Sequence, residues 1–334
     1  MKLSETGEFG LIKLLREEIE RFRVPGQDSW KRLIAGAGDD CAVWKGERLP
    51  QLATTDTQVQ GVHFLKGTFK YEDLGHKSIA SNLSDIAAMG GVPLYALVSF
   101  SANRDMKVEE LLSLFRGMIK EAANHGVAIV GGNMTSAPVL VITVTLFGEL
   151  AGEAMLSRSG ARPGDQIGVT GYLGASSAAA ATFRRKLKVD RATKAFLRQS
   201  HFHPEPRVAE GQELVHLGVR TAIDVSDGLV SDLTRICEES KVGARILADR
   251  VPTHPKLRKA LGKTAIEYAL AGGEDFELLF TAPPELMDRV RTTLKTSVSV
   301  IGDVISEHPG QVAVSGNRGQ LLDPKAKGWD HFLK

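Results

Sequence analysis

Five short acidic segments stand between positions 38 and 275: Gly38-Asp39-Asp40-Cys41, Thr54-Thr55-Asp56-Thr57, Asn82-Leu83-Ser84-Asp85, Asp224-Val225-Ser226-Asp227-Gly228 and Gly272-Gly273-Glu274-Asp275. Each sets carboxylates beside glycine or small hydroxyl residues, next to an apolar stretch. Carboxylates gathered in one site repel one another unless cations sit between them. Hard oxygen donors with small neighbours suit Mg²⁺, which keeps several waters. The chemistry this suggests is a multi-magnesium site for a phosphate-rich substrate.

Several residues carry that reading, each beside a plainer one. Asp224 closes a strand, and Ser226 or Asp227 is placed to cap the helix that follows. Such a strand–turn–helix junction also turns backbone N–H groups outward, toward an anion such as phosphate. Asp85 falls three residues after Asn82, on the same helical face. A carboxylate there opposes the helix dipole unless a cation lies beside it. Asp56 follows Thr54 and Thr55, whose hydroxyl and carbonyl oxygens are hard ligands, although an ordinary turn explains it too. In the first segment Asp39 is the turn residue and Asp40 the ligand, or the reverse. Gly131-Gly132-Asn133 follows a strand and lets amides approach a phosphate, or simply makes a tight turn. Arg158 lies in a Gly/Pro-rich stretch able to bring a guanidinium to phosphate; its spacing fits a surface arginine equally well. His63, in Gln60-Gly61-Val62-His63-Phe64, fits a structural or exposed histidine as readily as a functional one. His201-Phe202-His203 looks like a metal pair, but Pro204 follows directly and favours a surface loop. Trp329 reads as a terminal core anchor. Gly262-Lys263-Thr264 is not a phosphate loop, because Leu257 stands where its first glycine belongs. Gly36-Ala37-Gly38 meets Cys41 instead of a third glycine, so a dinucleotide cofactor is not expected.

These residues need a scaffold of mixed helices and strands. Glu8 to Phe22 has apolar residues at helical spacing. A strand is predicted over Leu52 to Thr57, and a helix over Tyr71 to Met89, stopped by Gly90-Gly91 and Pro93. Leu94 to Ser101 is a strand, Val108 to His125 a second amphipathic helix, and Val127 to Val130 a short strand ending at Gly131-Gly132. Val139 to Leu150 is a long strand. A boundary is placed near Gly152. Beyond it come a strand over Gln166 to Thr170, a small-residue helix from Ala175, and a helix with Pro206 at its first position. A strand over Thr221 to Val225, a helix over Leu229 to Glu239, and strands over Phe276 to Phe280 and Val298 to Ile305 follow. The strict alternation of a Rossmann domain is missing.

Length and composition narrow the class. A chain of 334 residues favours two domains. Its 43% hydrophobic content suffices for real cores. A formal charge of +2 and 6% aromatic residues give no support to nucleic-acid binding. Cys41 and Cys237 are too few for a disulfide framework or a structural zinc site and read as small core residues. The polar amino terminus and the lack of a long apolar run lead to the expectation of a cytoplasmic protein without a signal peptide or membrane span.

Taken together and in this order, the segments resemble the thiamine-monophosphate kinase family, within the superfamily of phosphoribosylaminoimidazole synthetase and selenophosphate synthetase. The resemblance runs from Gly7-Glu8-Phe9 through all five acidic segments, Asn82 to Gly90, Arg158-Ser159-Gly160-Ala161 and Phe276-Glu277-Leu278, to Gly328-Trp329-Asp330-His331-Phe332. It implies a mixed α+β, two-domain fold: an ATP- and magnesium-binding domain over 1–152, whose sheet pairs across a homodimer, and an α/β domain over 153–334 packed against it. It implies ATP-dependent phosphorylation of thiamine monophosphate to thiamine diphosphate. By that match Asp40, Thr54, Thr55, Asp56, Asp85, Asp224 and Asp227 are magnesium ligands. Gly132, Asn133, Arg158 and Ser226 contact ATP, while His63, Glu274 and Trp329 line the thiamine-phosphate site. A monovalent cation is an optional further ion. Many members carry aspartate where this chain has Asn133, which removes a charge from one metal position. Two polyanions repel unless cations intervene, and the accepting phosphate oxygen is already ionised near pH 7. Direct in-line transfer without a phospho-enzyme or a dedicated general base is therefore expected. The alternatives are a sibling ATP-dependent synthetase and a non-catalytic dimer that senses nucleotide or thiamine phosphate.

Overall fold

The computed structural model describes residues 2–24, 26–36, 42–46, 48–184, 186–316 and 320–322. Asp39, Asp40, Cys41 and Trp329 lie outside the described residues. The chain divides into two compact units, one of residues 1–86 and 92–153, the other of residues 87–91 and 154–334. The fold is mixed α+β, as the sequence led us to expect. Among the described residues no helix is long and apolar enough to cross a membrane.

The first unit contains α1 (Leu3–Arg21), α2 (Asp28–Arg32), β1 (Leu33–Ala35), β2 (Val43–Trp44), β3 (Gln51–Val59), α3 (Tyr71–Ala88), β4 (Gly91–Ala102), α4 (Val108–Asn124), β5 (Ala128–Ser136) and β6 (Val141–Leu150). Its main sheet has the order β3-β6-β4-β5, so β3 and β5 are its edges. Strand alternation divides the residues between two faces. Ile142, Val144 and Leu146 of β6 are buried on the face that carries α3, and α4 contributes Leu111, Leu114 and Met118 to the core. The other face is rich in threonine: Thr55 meets Thr145 at 3.1 Å and Thr57 meets Thr143 at 2.8 Å.

The second unit contains β7 (Gln166–Thr170), α5 (Ala175–Phe183), α6 (Arg191–Phe202), α7 (Val208–Leu217), β8 (Thr221–Asp224), α8 (Leu229–Ser240), β9 (Gly243–Leu247), α9 (Pro255–Leu261), α10 (Ala265–Ala271), β10 (Leu278–Ala282), α11 (Pro284–Thr293), β11 (Val298–Ile305), β12 (Val312–Ser315) and β13 (Leu321–Leu322). Seven strands follow the order β13-β12-β9-β11-β7-β10-β8. Strand β10 runs antiparallel to both β7 and β8, so the ends of β7 and β8 and the start of β10 share one edge. A core of Ile167, Val169, Ile223, Leu229, Leu233, Ile236, Ile246 and Leu279 lies under α8. Cys237 belongs to it, and burial pushes its thiol up to about 12, consistent with a core role.

Four local expectations are corrected. Strand β5 does not stop at Gly131-Gly132 but pairs with β4 through to Ser136. Gly132 is required for that pairing, since a Cβ there would come within 1.9 Å of the Val98 carbonyl oxygen. Pro206 precedes the cap of α7 rather than opening the helix, because Arg207 is the N-cap and Val208 the first helical residue. His201 is in the last turn of α6 and buried, not in a surface loop. Strand β10 begins at Leu278 because Glu274 and Phe276 adopt positive φ angles of 63° and 54°, which break extended structure.

Candidate active site

In the first unit, alternation along β3 puts Thr54, Asp56 and Gln58 on the α3 face and sends Thr55 and Thr57 to the opposite one. Helix α3 answers with Ser78, Asn82 and Asp85, spaced one turn apart. Thr54 Oγ1 donates to Asp85 Oδ2 at 2.5 Å, and Ser78 Oγ donates to Gln58 Oε1 at 3.3 Å. Asp56 and Asn82 fall between these two anchor points. Asn82 is fully buried, and its Oδ1 has no hydrogen-bond partner among the described residues, while its Nδ2 donates to the Ser78 carbonyl at 3.1 Å. A buried, unsatisfied carbonyl oxygen one turn from a carboxylate is the donor set that a hard cation or its bound water completes.

Thr55 and Asn133 do not join this strip. Thr55 lies on the other face, where its Oγ1 donates to the Val144 carbonyl at 3.1 Å. Asn133 pairs in register with Ser99 on that same other face, but on β5, the edge strand farthest from β3. Three strand spacings separate the two edges, about 14 Å. His63 Nδ1 accepts the Val59 N–H at 2.9 Å, which leaves Nε2 as the protonated nitrogen of the neutral ring.

In the second unit, Asp224 ends β8, buried at 3% exposure, and Ser226 Oγ lies 3.4 Å from its Oδ1. Neither Ser226 nor Asp227 caps α8. Asp232, in the first turn of that helix, reaches back instead. Its Oδ2 accepts the backbone N–H groups of Ser226, Asp227 and Gly228 at 3.1, 3.1 and 3.0 Å. The amides expected to hold a phosphate are therefore filled by the protein's own carboxyl. The turn presents negative charge and suits a cation rather than an anion. Burial, with Asp227 close by, pushes the Asp232 carboxyl up to about 7. Asp227 pairs with Arg235 at 3.0 Å.

A second acidic segment packs on this turn. Gly273 lies so close to it that a Cβ would come within 2.1 Å of the Ser226 carbonyl oxygen. The Glu274 N–H donates to that same carbonyl at 2.8 Å. Asp275 turns the other way and accepts the N–H groups of Gly174 and Ser176 at the start of α5, at 2.6 and 3.2 Å. Burial pushes its carboxyl up to about 7. Glu277 accepts Arg207 Nε at 2.7 Å, Arg207 Nη2 at 2.8 Å and Thr170 Oγ1 at 2.6 Å. The turn that carries Asp224, Ser226 and Asp227 is thus in backbone contact with Glu274, although among the described residues no three acidic, histidine or cysteine side chains converge closely enough to hold a metal ion by themselves. Arg158 is not beside this turn: its neighbour Ser157 bridges to Thr221 at the start of β8, about 10 Å of strand from Asp224. Its carbonyl accepts Ser240 Oγ at 3.1 Å, at the far end of α8.

Comparison with known proteins places the chain in a family. Residues 38–150 match the family model "AIR synthase related protein, N-terminal domain", and residues 162–315 match "AIR synthase related protein, C-terminal domain". The chain is 34% identical to the thiamine-monophosphate kinase of Aquifex aeolicus, over 99% of this chain and 100% of that one. The thiamine-monophosphate kinase structure from Stenotrophomonas maltophilia K279a superposes with a TM-score of 0.80 at 30% identity, covering 95% of this chain and 98% of that one. A structure of AaThiL complexed with AMPPCP and TMP superposes at 0.76 with 32% identity, covering 99% of each chain. The chain belongs to the thiamine-monophosphate kinase family.

Two residues of this thiamine-monophosphate kinase family member had escaped the sequence reading. Asp232 carried a signal, an aspartate four residues into a helix that follows an acidic turn. Arg207 carried none, since its partner Glu277 lies 70 residues away.

Proposed function

We propose that the protein transfers the γ-phosphoryl group of ATP to thiamine monophosphate, giving ADP and thiamine diphosphate. The carrying observation is the near-full-length likeness to AaThiL complexed with AMPPCP and TMP. Both substrates are polyanions, yet the residues that would meet them are largely carboxylates. Cations must therefore mediate. The fit for Mg²⁺ rests on the all-oxygen donor set, the unsatisfied Asn82 Oδ1 and the helix N-terminus already filled by Asp232. Asp40, Thr54, Asp56 and Asp85 would hold Mg²⁺ in the first unit, and Asp224 and Asp227, separately, in the second; Thr55, whose hydroxyl faces the other side of β3, is not among them. Bound there, Mg²⁺ supplies charge neutralisation and polarisation of the phosphoryl oxygens.

The chain's own groups bind and orient. Within the second unit Ser226 is assigned to ATP and Glu274 to thiamine monophosphate. Thr54 steadies the Asp85 carboxylate by the short hydrogen bond between them. No side chain is assigned as general base, because the accepting phosphate oxygen is already ionised near pH 7. The phosphoryl group passes directly between substrates, without a phospho-enzyme. The protein acts in the cytoplasm as a homodimer, its first sheet pairing with that of a second copy. Among the described residues no strand pairs with the outer edge of β3, and this supports the reading, since long bare edges favour strand addition.

Incubation with ATP, Mg²⁺ and thiamine monophosphate tests the reading, with thiamine diphosphate and ADP expected in equal amounts. Nucleotide binding without any thiamine diphosphate would refute it. Inversion of configuration at a chiral γ-phosphorus is expected; retention would remove the direct-transfer step.

A further inference from the structure

His201 has 2% exposure and sits where α6 ends, outside every site assigned above. Its ring is wedged between two phenylalanine rings, Phe183 at 5.4 Å and Phe202 at 4.7 Å, both edge-on. This seat fixes the ring's orientation. A buried imidazole needs polar partners. Nδ1 lies 2.8 Å from Ser176 Oγ, which is itself fully buried in the first turn of α5. The same Nδ1 lies 3.7 Å from Glu274 Oε2, too long for a hydrogen bond but within ion-pair reach.

The main chain of Glu274 is held from two sides, while one third of its side chain is exposed. On one side its N–H meets the Ser226 carbonyl. On the other, the next residue, Asp275, grips the amides that open α5. Ser176 belongs to both arrangements, since its N–H meets Asp275 and its hydroxyl meets His201. In the tautomer that carries its proton on Nδ1, Ser176 Oγ accepts that N–H and no lone pair is turned toward the Glu274 carboxylate. The positive edge of the ring then faces Glu274.

We propose that His201, seated by Ser176, is a positioning residue for Glu274, orienting the carboxylate that contacts thiamine monophosphate. This rests on the assignment of Glu274 under the proposed function. In this role His201 acts through Glu274.

The test is steady-state kinetics of full-length His201→Phe, His201→Asn, Ser176→Ala, Glu274→Gln and the double variant His201→Phe/Glu274→Gln, beside their melting curves. Asparagine places an amide N–H close to where Nδ1–H was, whereas phenylalanine keeps only ring volume. His201→Phe should raise KM for thiamine monophosphate about tenfold and change KM for ATP less than about twofold. His201→Asn should restore most of that loss, and Ser176→Ala should move the same constant in the same direction. The double variant should be no worse than Glu274→Gln. Parallel rises in both KM values, equal defects in the phenylalanine and asparagine variants, or additive effects in the double variant would overturn the proposal. Should His201→Phe not fold, Ser176→Ala and His201→Asn decide by the same split of KM values. If Glu274→Gln leaves KM for thiamine monophosphate unchanged, the assignment of Glu274 itself fails. That outcome is distinct from a failure of His201 alone.

Discussion

Replacing Arg207 by methionine should strand a carboxylate inside the second unit. Arg207 grips Glu277 with Nε and Nη2 at 2.7 and 2.8 Å, and the two side chains are only 15% and 8% exposed. Burial alone would lower the guanidinium's pKa, but Glu277 outweighs it and raises the pKa. At an effective dielectric constant of about 20, charges at these distances attract by roughly 6 kcal/mol. Part of that attraction offsets the desolvation of both ions. The cost of breaking such a pair from one side is about 3–5 kcal/mol, because the remaining charge stays buried. For a unit of this size each kcal/mol moves the melting midpoint by about 2–4 °C, so a loss of about 6–20 °C is expected. The double variant Arg207→Met/Glu277→Gln removes both charges and leaves Thr170 a neutral partner. It should recover at least half of the loss. Urea titration and thermal melts of the wild type, both single variants and the double variant close the cycle. Additive losses in the double variant would show that the charges do not act as a pair and would refute the reasoning.

Three further outcomes follow from other parts of the molecule. Glu121, buried between His76 at 3.1 Å and His125 at 3.3 Å, is pushed up by burial, but hydrogen bonds from His125 and His76 more than offset this and bring it to about 2 from 4.5. A depressed acid stabilises the fold above its unfolded value and loses that effect as pH falls toward 2, so Glu121→Gln should cost about 3 kcal/mol at pH 7 and almost nothing at pH 2; a gap independent of pH in urea titrations would contradict this. Asp85→Asn should cut kcat at least about a hundredfold through the lost metal charge, with melting nearly unchanged because the amide oxygen still accepts from Thr54; unfolding in the melting curve would mean that the carboxylate is structural instead. Gly132→Ala should destabilise the first sheet by roughly 2 kcal/mol or more, since its Cβ meets the Val98 carbonyl backbone and neither strand can yield cheaply; amide exchange as slow as in the wild type along β4 and β5 would show that the strands separate without strain.

The sequence by itself determined the alternation of elements and the acidic segments that end them. Hydrophobic spacing marked α3, α4, α8, β6 and β7 within a few residues, because amphipathic periodicity is a local property. It could not show that β5 runs through Gly131-Gly132, because the reason is the approach of Val98 from another strand. Nor could it sort Thr54 from Thr55 without knowing which face of β3 carries α3. Only the tertiary structure decided that Asp232 fills the helix N-terminus, so that the amides expected to hold a phosphate are already taken. Only the tertiary structure buried His201 beside Ser176 and Glu274, which stand 25 and 73 residues away along the chain. Charge type and helical or strand period are written residue by residue. Burial, and the partner a buried polar group finds, are set by which distant segments the fold brings into contact.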